Sequence, residues 1–312
     1  MPKGWLRDPG YPMKALFVTV AAHELYVPIN AWRNHMGPCG HITFNANGPG
    51  NDDAILACAK GYRPDVIFYI GANDGDGLPT VKTFQALREI APSVHYQSDM
   101  EDETWHAMMH LYHDNECFDL CASQTGVPVN LVDYPTLIAI DQAPYRSLAP
   151  KTARCGFAGS LQTLEQYEEA KRDHGAEDPR SVVLHGLGKR VHLRKREPVG
   201  PYQGYVDFIR QCRIVLNVSL TGLGTHHHVK WRVLESAFAR CVLLEMRESP
   251  TRNWFPADTF LTYGSIEEAR EIIAATPNHR LDEIAAALSA YAGQHYSPEK
   301  IYRGILAKLG MA

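Results

Sequence analysis

Residues 213–246, RIVLNVSLTGLGTHHHVKWRVLESAFARCVLLEM, constrain the fold more than any other stretch of the chain. An apolar, β-rich run, Ile214-Val215-Leu216-Asn217-Val218, leads into a loop with Gly222 and Gly224, then three histidines. A helical segment follows, and after it a second buried run, Cys241-Val242-Leu243-Leu244. Strand, glycine loop, helix and strand predict a parallel βαβ unit, whose crossover is almost always right-handed. Ligands of such sheets sit beyond the carboxyl ends of the strands, where glycine loops meet helix N-termini. Here that place spans Ser219 to His228.

On a helical wheel Val229, Val233, Leu234, Ala237 and Phe238 form one apolar side. His228, Arg232 and Glu235, spaced i, i+4, i+7, fall on the opposite side. An imidazole, a guanidinium and a carboxylate on one face suit a ligand with phosphates and hydroxyls: Arg for phosphate, Glu for a diol. The competing reading is a solvated face with a weak Arg/Glu pair. Spacing alone does not choose between them.

At 312 residues the chain has room for about two domains of ~150 residues each. It is 45% hydrophobic and 21% charged, enough to bury a core. A net charge of −4 makes a dedicated nucleic-acid binder the weaker reading. Met1 to Trp5 lacks the apolar core of a signal peptide, and no run approaches the ~18–20 apolar residues of a membrane span. The seven cysteines are scattered. Cys58, Cys121, Cys212 and Cys241 read as small buried hydrophobes in a reducing cytoplasm. Cys117 and Cys121 have no second pair to complete a zinc site.

The first half alternates strand and helix. Strands are predicted at 14–20, 41–44, 65–70, 94–97 and 118–122. Helices are predicted near 26–35, over 51–60 with Asn51 as cap, and over 80–90 and 101–113. This is an open parallel sheet of Rossmann type. No G-x-G-x-x-G follows the first strand, so NAD or FAD binding is disfavoured. The Asn73–Gly77 loop lacks the spaced ligands of a calcium loop and reads as a polar turn. Asp99 and His95, at a strand's carboxyl end, are placed where a positioned base could act. Alternatively Asp99 caps the next helix. His23, beside Glu24 after the first strand, is a third candidate, with capping or solvent exposure as its alternative.

Residues 126–150 hold Pro128, Pro135, Pro144 and Pro150 and read as a linker. Beyond it, strands are predicted at 155–158 and 181–185, with helices over 164–172 and 205–210. Gly159-Ser160 and the Gly188-Lys189-Arg190 turn could offer backbone or basic groups to a phosphate at the same sheet edge as Arg232. His226-His227-His228 do not converge on one ion in a regular element, so no metal is expected. Helices are predicted over 266–274, 281–291 and 300–309, the last started by Ser297-Pro298.

The run 230–244, KWRVLESAFARCVLL, resembles the "RvfEalacGalll" signature of GT-B glycosyltransferases, most nearly the spore-maturation (CgeB-like) group. Arg154 to Ser160 is similar to the "i-x-F-x-G-S" start of that family's second domain, and 94–99 to its "v-x-w-x-x-D" segment. Asp141 to Arg146 is similar to its "D-x-x-x-y-r/f" linker. The resemblance covers roughly residues 154–306 and fades towards the N-terminus. It implies two Rossmann-like domains facing a cleft, 1–145 with 297–312 for the acceptor and 146–296 for the donor, the last helix crossing back to the first domain. It implies transfer of a sugar from a nucleotide diphosphate sugar, UDP-sugar favoured, to an acceptor hydroxyl without a metal.

Carried over by position, Glu235 holds the nucleotide ribose and Arg232 lies near the diphosphate. Lys230, His228, His227, Thr225, Gly224, Gly159, Ser160 and Lys189 complete the expected donor site. Many retaining members carry a second Glu eight positions before the first; this chain has His227 there. The rivals are a nucleotide-sugar epimerase, a silent glycan- or protein-binding subunit, and a DNA-modifying sugar transferase of the same fold.

Overall fold

A computed structural model describes residues 12–20, 26–71, 75–98, 100–101, 103–124, 130–147, 149–159, 165–166, 168, 178–194, 202–220 and 226–311. The chain divides into two compact units, Met1–Asp141 with Tyr296–Ala312, and Gln142–His295. Each is built on its own parallel sheet.

In the first unit the buried runs form β1 (Ala15–Val20), β2 (Cys39–Phe44), β3 (Val66–Ile70), β4 (Ser93–Gln97), β5 (Leu120–Ser123) and β6 (Tyr134–Pro135). Between them lie α1 (Tyr26–His35), α2 (Asp52–Tyr62), α3 (Val81–Ile90) and α4 (Glu103–Asp114). The order β2-β1-β3-β4-β5-β6 is parallel throughout. Thr80 starts α3 by accepting from the Thr83 N–H. Asn51 takes the cap position of α2 but makes no cap bond; its amide donates to the Thr43 carbonyl at 3.3 Å instead.

Neighbouring residues face opposite sides of a strand, so both faces of this sheet carry aromatic rings. Phe68 stacks on Phe17 at 5.0 Å, while Tyr69 meets Phe84 at 4.8 Å. The Phe68 face is closed by the chain's terminal helix, Pro298–Lys308, whose Tyr302 sits 4.9 Å from Trp32 and donates to the Pro28 carbonyl at 2.6 Å. The crossing back of the last helix is therefore present. Ser297 caps it and Pro298 opens it.

The second unit contains β7 (Ala153–Ala158), α5 (Pro179–Leu187), β8 (His192–Arg194), α6 (Tyr202–Gln211) and β9 (Cys212–Leu216). These are followed by α7 (Arg232–Phe238), β10 (Val242–Met246), β11 (Leu261–Tyr263), α8 (Ile266–Ala275) and α9 (Asn278–His295); the terminal helix is α10. The sheet order β11-β10-β9-β7-β8 is again parallel. Strand order reverses between β7 and β9, the place where such sheets bind ligands.

One element is of the other type than expected. Residues 181–185 are helical, not extended, because Asp178 caps α5 by accepting from the Ser181 N–H at 2.9 Å and Pro179 occupies its first turn. The cap and proline outweigh the β-branched pair Val182-Val183. The expected helix over 164–172 lies largely outside the described residues. Among the described residues no helix is long and apolar enough to cross a membrane.

Candidate functional site

Arg232 is the first residue of α7 and lies across the point where β7 and β9 diverge. Its Nη1 donates to the Asn217 side-chain oxygen at 2.8 Å, just past β9, and its Nη2 donates to the Ala158 carbonyl at the end of β7. The guanidinium sits 4.6 Å from the centre of the Phe157 ring, a cation–π contact. Its Nε is buried with no partner among the described residues. Gly159 makes room for this arrangement: a Cβ there would stand 3.1 Å from Arg232 Nη2 and 3.0 Å from Phe157. A planar cation at the carboxyl ends of two parallel strands is suited to an oxyanion.

Asn217 is itself buried and locked. Its Nδ2 donates to Glu245 at 2.7 Å, and its carbonyl accepts from the Tyr263 hydroxyl at 2.9 Å. Glu245, fully buried, also accepts from the Met246 N–H at 2.9 Å and the Thr251 hydroxyl at 3.1 Å. Burial raises its pKa, and these donors oppose the rise.

Of the two readings of this helix face, the structure does not fit the solvated one. The helix spans only seven residues, and its last six are all buried. Glu235 makes no ion pair with Arg232 in the structure; it faces tyrosines. Tyr205 donates to Oε2, and Tyr145 lies 3.4 Å from Oε1. The Tyr145 and Tyr202 hydroxyls are 2.7 Å apart, and Tyr202 stacks on Tyr205. Burial raises the Glu235 pKa; the Tyr205 hydrogen bond, the Arg232 charge and the Tyr145 hydroxyl work against it. His228 precedes the helix rather than sharing its face.

The three histidines diverge: His226 is exposed, His227 half-buried and His228 buried. His227 Nδ1 lies 2.9 Å from the Ser219 hydroxyl, and the His228 N–H donates to the Ser219 carbonyl at 2.8 Å. With the Leu220–His227 bridge, these contacts close the base of the glycine loop. Burial lowers the His227 pKa. Lys230 is half-buried two residues before α7. Gly224, Thr225 and Ser160 lie outside the described residues.

Two candidates are displaced. Lys189 is exposed in a turn that precedes β8, and Gly156 pairs with His192 in register. Lys189 therefore lies at the amino edge of the sheet, opposite Gly159 and Arg232. His95 is a core side chain. It is buried on the sheet face, 5.1 Å from Phe118 and 5.5 Å from both Tyr69 and Tyr112. Burial lowers its pKa to about 3, so at neutral pH it is an uncharged core ring. Asp99 and His23 lie outside the described residues, as do Asn73 and Asp74.

Asn217 and the three tyrosines were not among the expected site residues. A polar residue inside an apolar strand run, as in Ile214-Val215-Leu216-Asn217-Val218, is the signal for Asn217. Tyr145 is the "y" of the linker pattern. Nothing local distinguishes Tyr202 and Tyr205.

A family model described as glycosyl transferase-like matches residues 160–307, which contain Arg232, Asn217 and Glu235. The chain is a glycosyltransferase with the GT-B fold. Among solved structures similar to it is HepE from Anabaena in complex with UDP-glucose, at 13% identity and TM-score 0.60, covering 96% of this chain and 100% of that one. Another is an alpha-glucosyltransferase in complex with UDP and a 13-mer DNA containing a HMU base, at 8% identity and TM-score 0.60 with the same coverage. No curated protein matches the sequence. The glycosyltransferase thus shares its architecture with these proteins at identities too low to carry their substrates with it. Its Arg232 belongs to the matched segment, while Ala158 at the end of β7 lies just before it.

Proposed function

We propose that this glycosyltransferase moves a sugar from a UDP-sugar to an acceptor hydroxyl, without a metal, and that it belongs with the spore-maturation group it resembles. The observation that carries the reading is Arg232 spanning the ends of β7 and β9 while held by Asn217 and Ala158. UDP and UDP-glucose occur in the structures of similar fold, which supports a uridine donor.

In the reaction the acceptor oxygen bonds to the anomeric carbon as that carbon's bond to the diphosphate oxygen breaks. The electron pair leaves with the diphosphate, and the acceptor's proton passes to a base. Arg232, with Lys230 and the backbone around Gly159, neutralises the charge that develops on the leaving group. Such charge compensation takes the place of a metal ion. Glu235 takes ribose hydroxyls in exchange for at least one of its tyrosine partners. Asp99 and His23 are the candidates for the base, His95 being locked in the core. Seven free cysteines fit a reducing, cytoplasmic setting.

The test is a thermal-shift panel of UDP, GDP, TDP, CDP, ADP and NAD, since a ligand of the native state raises its apparent stability. A shift with UDP, lost in Arg232→Ala and reduced in Glu235→Ala, is the expected result. Unchanged UDP affinity in both folded variants would remove the assignment.

The likeness to a DNA-bound glucosyltransferase raises a second reading, a modified base as acceptor. The net charge of −4 weighs against it. Retention on DNA at low salt, lost as salt rises, would favour it.

A further inference from the structure

The second unit contains a cavity of about 200 Å3 whose cationic side chains have no part in the proposed transfer reaction. Among the described residues four cationic side chains line it, Arg146, Lys151, Arg210 and Arg240, and no carboxylate does. It lies at the amino edge of the sheet: Lys151 precedes β7, Arg210 is the penultimate residue of α6 just before β9, and Arg240 precedes β10. Arg232 occupies the other edge. Tyr145 lines the cavity and also lies 3.4 Å from Glu235, so it stands between the two places, while the four cations belong to the cavity alone.

Two of the charges form a fixed wall. Lys151 Nζ donates to the Arg210 and Ala239 carbonyls, both at 3.0 Å, and lies 3.1 Å from Cys241 Sγ. None of these partners cancels its charge, because burial keeps the Cys241 thiol protonated above its ordinary range. Arg210 donates through Nε to the Ser147 carbonyl at 2.8 Å and shares Asp207 through Nη1 at 3.1 Å. The other two are adjustable arms. Among the described residues Arg146 reaches the neutral Gln142 amide, at 3.4 Å, and no carboxylate, and Arg240 is exposed.

Arg240 carries a further mark. Its φ is +50°, the left-handed conformation that favours glycine, and the "RvfEalacGalll" signature has glycine at this position. An arginine here retains backbone strain that a glycine would relieve, while adding a cation to a cavity that already holds three.

We propose that this cavity binds a phosphate group, free or as the phosphate monoester of a small molecule, with Arg240 and Arg146 closing on oxygens that Lys151 and Arg210 attract. Pockets for drug-sized ligands run from about 300 Å3 upward, so this one suits a phosphate with a small carrier. Guanidinium groups meet phosphate oxygens through paired N–H donors, which gives the arms their selectivity.

The experiment is calorimetric titration of the full chain with inorganic phosphate at low ionic strength, on the wild type, Arg240→Gly, Arg146→Gln and Arg232→Ala. Arg240→Gly puts glycine where the backbone favours it, so its melting temperature should hold or rise. The expected result is binding by the wild type and by Arg232→Ala, weakened about tenfold or more by Arg240→Gly and by Arg146→Gln. Equal affinity in Arg240→Gly, loss of binding in Arg232→Ala alone, or no heat from the wild type at millimolar phosphate would each overturn the proposal. Glycerol 3-phosphate separates the sources: tighter binding than phosphate assigns a monoester, and equal or weaker binding assigns the free ion.

Discussion

Arg232 and Asn217 hold each other in one orientation: the guanidinium donates to Oδ1 at 2.8 Å, which leaves Nδ2 to donate to Glu245 at 2.7 Å. Turning the amide over would set its NH2 against the guanidinium and its oxygen against the carboxylate. Two charged neighbours thus fix which way the amide points, and the amide in turn positions the cation. Asn217→Ala should therefore cost about 1–3 kcal/mol of stability, the usual consequence of stranding buried polar groups. It should also weaken UDP binding in proportion to Arg232's role. Urea unfolding and UDP titration of Asn217→Ala, Arg232→Ala and the double variant check this, with a non-additive effect on UDP affinity expected.

Glu235 has its pKa raised from 4.5 by burial, so between that value and its higher folded value the native state holds more protons than the unfolded chain. Stability contributed at this site falls as pH rises through that window. Glu235→Gln removes the titration. The wild type should lose stability relative to Glu235→Gln as pH climbs above about 4.5, measured by denaturant midpoints across pH. A constant difference between the two would count against the buried tyrosine-bound carboxylate.

His95 should act in the opposite sense. Its folded pKa lies near 3 while the unfolded ring titrates at 6.5, so the unfolded chain binds the extra proton between those values. Stability from the neutral ring is complete above 6.5 and is lost as pH falls towards 3. His95→Phe keeps an aromatic ring against Phe118 and removes the proton. Its unfolding midpoint should change less on acidification than that of the wild type, and its transfer activity at neutral pH should persist.

Lys151 ties two helix ends to the start of β7. Its ammonium serves the carbonyls of Arg210, the penultimate residue of α6, and Ala239, just past α7. Cations at helix carboxyl ends are favourable, and both carbonyls are turned inward. Lys151→Met should destabilise the chain by about 1–3 kcal/mol, with UDP affinity little changed. Thermal melts with and without UDP separate the two effects.

Tyr302 anchors the terminal helix. It is fully buried against Trp32, Phe68 and Tyr96, and its hydroxyl reaches the Pro28 carbonyl. Tyr302→Phe should cost about 1 kcal/mol, the hydrogen bond alone. Tyr302→Ala, by analogy with other large aromatic truncations, should cost about 3–5 kcal/mol. Near-equal losses in the two variants would mean that the ring contributes little and the hydroxyl most.

The alternation of buried runs and helical segments was legible because it depends on local periodicity and caps. Thr80, Ser297 and Pro298 do in the structure what such residues do in short peptides. The stretch 181–185 differs for the same reason: three apolar residues in a row, Val182-Val183-Leu184, favour an extended run until the Asp178 cap and Pro179 are weighed. Strands β6, β8 and β11 went unread because each is two or three residues long, too short to show a period.

The site divides along the same line. From the sequence by itself came the βαβ unit, the glycine loop at its turn, and Arg232 and Glu235 as the residues to follow, since these depend on order along the chain. Only the tertiary structure decided their surroundings. It set Arg232 across two strands joined through Asn217, buried Glu235 beneath Tyr145 and Tyr205, sent Lys189 to the far edge, and enclosed His95 in aromatic rings. Tyr145 and Glu235 are 90 residues apart in sequence. A side chain's protonation and partners follow from which distant groups exclude water around it, and no periodicity records that.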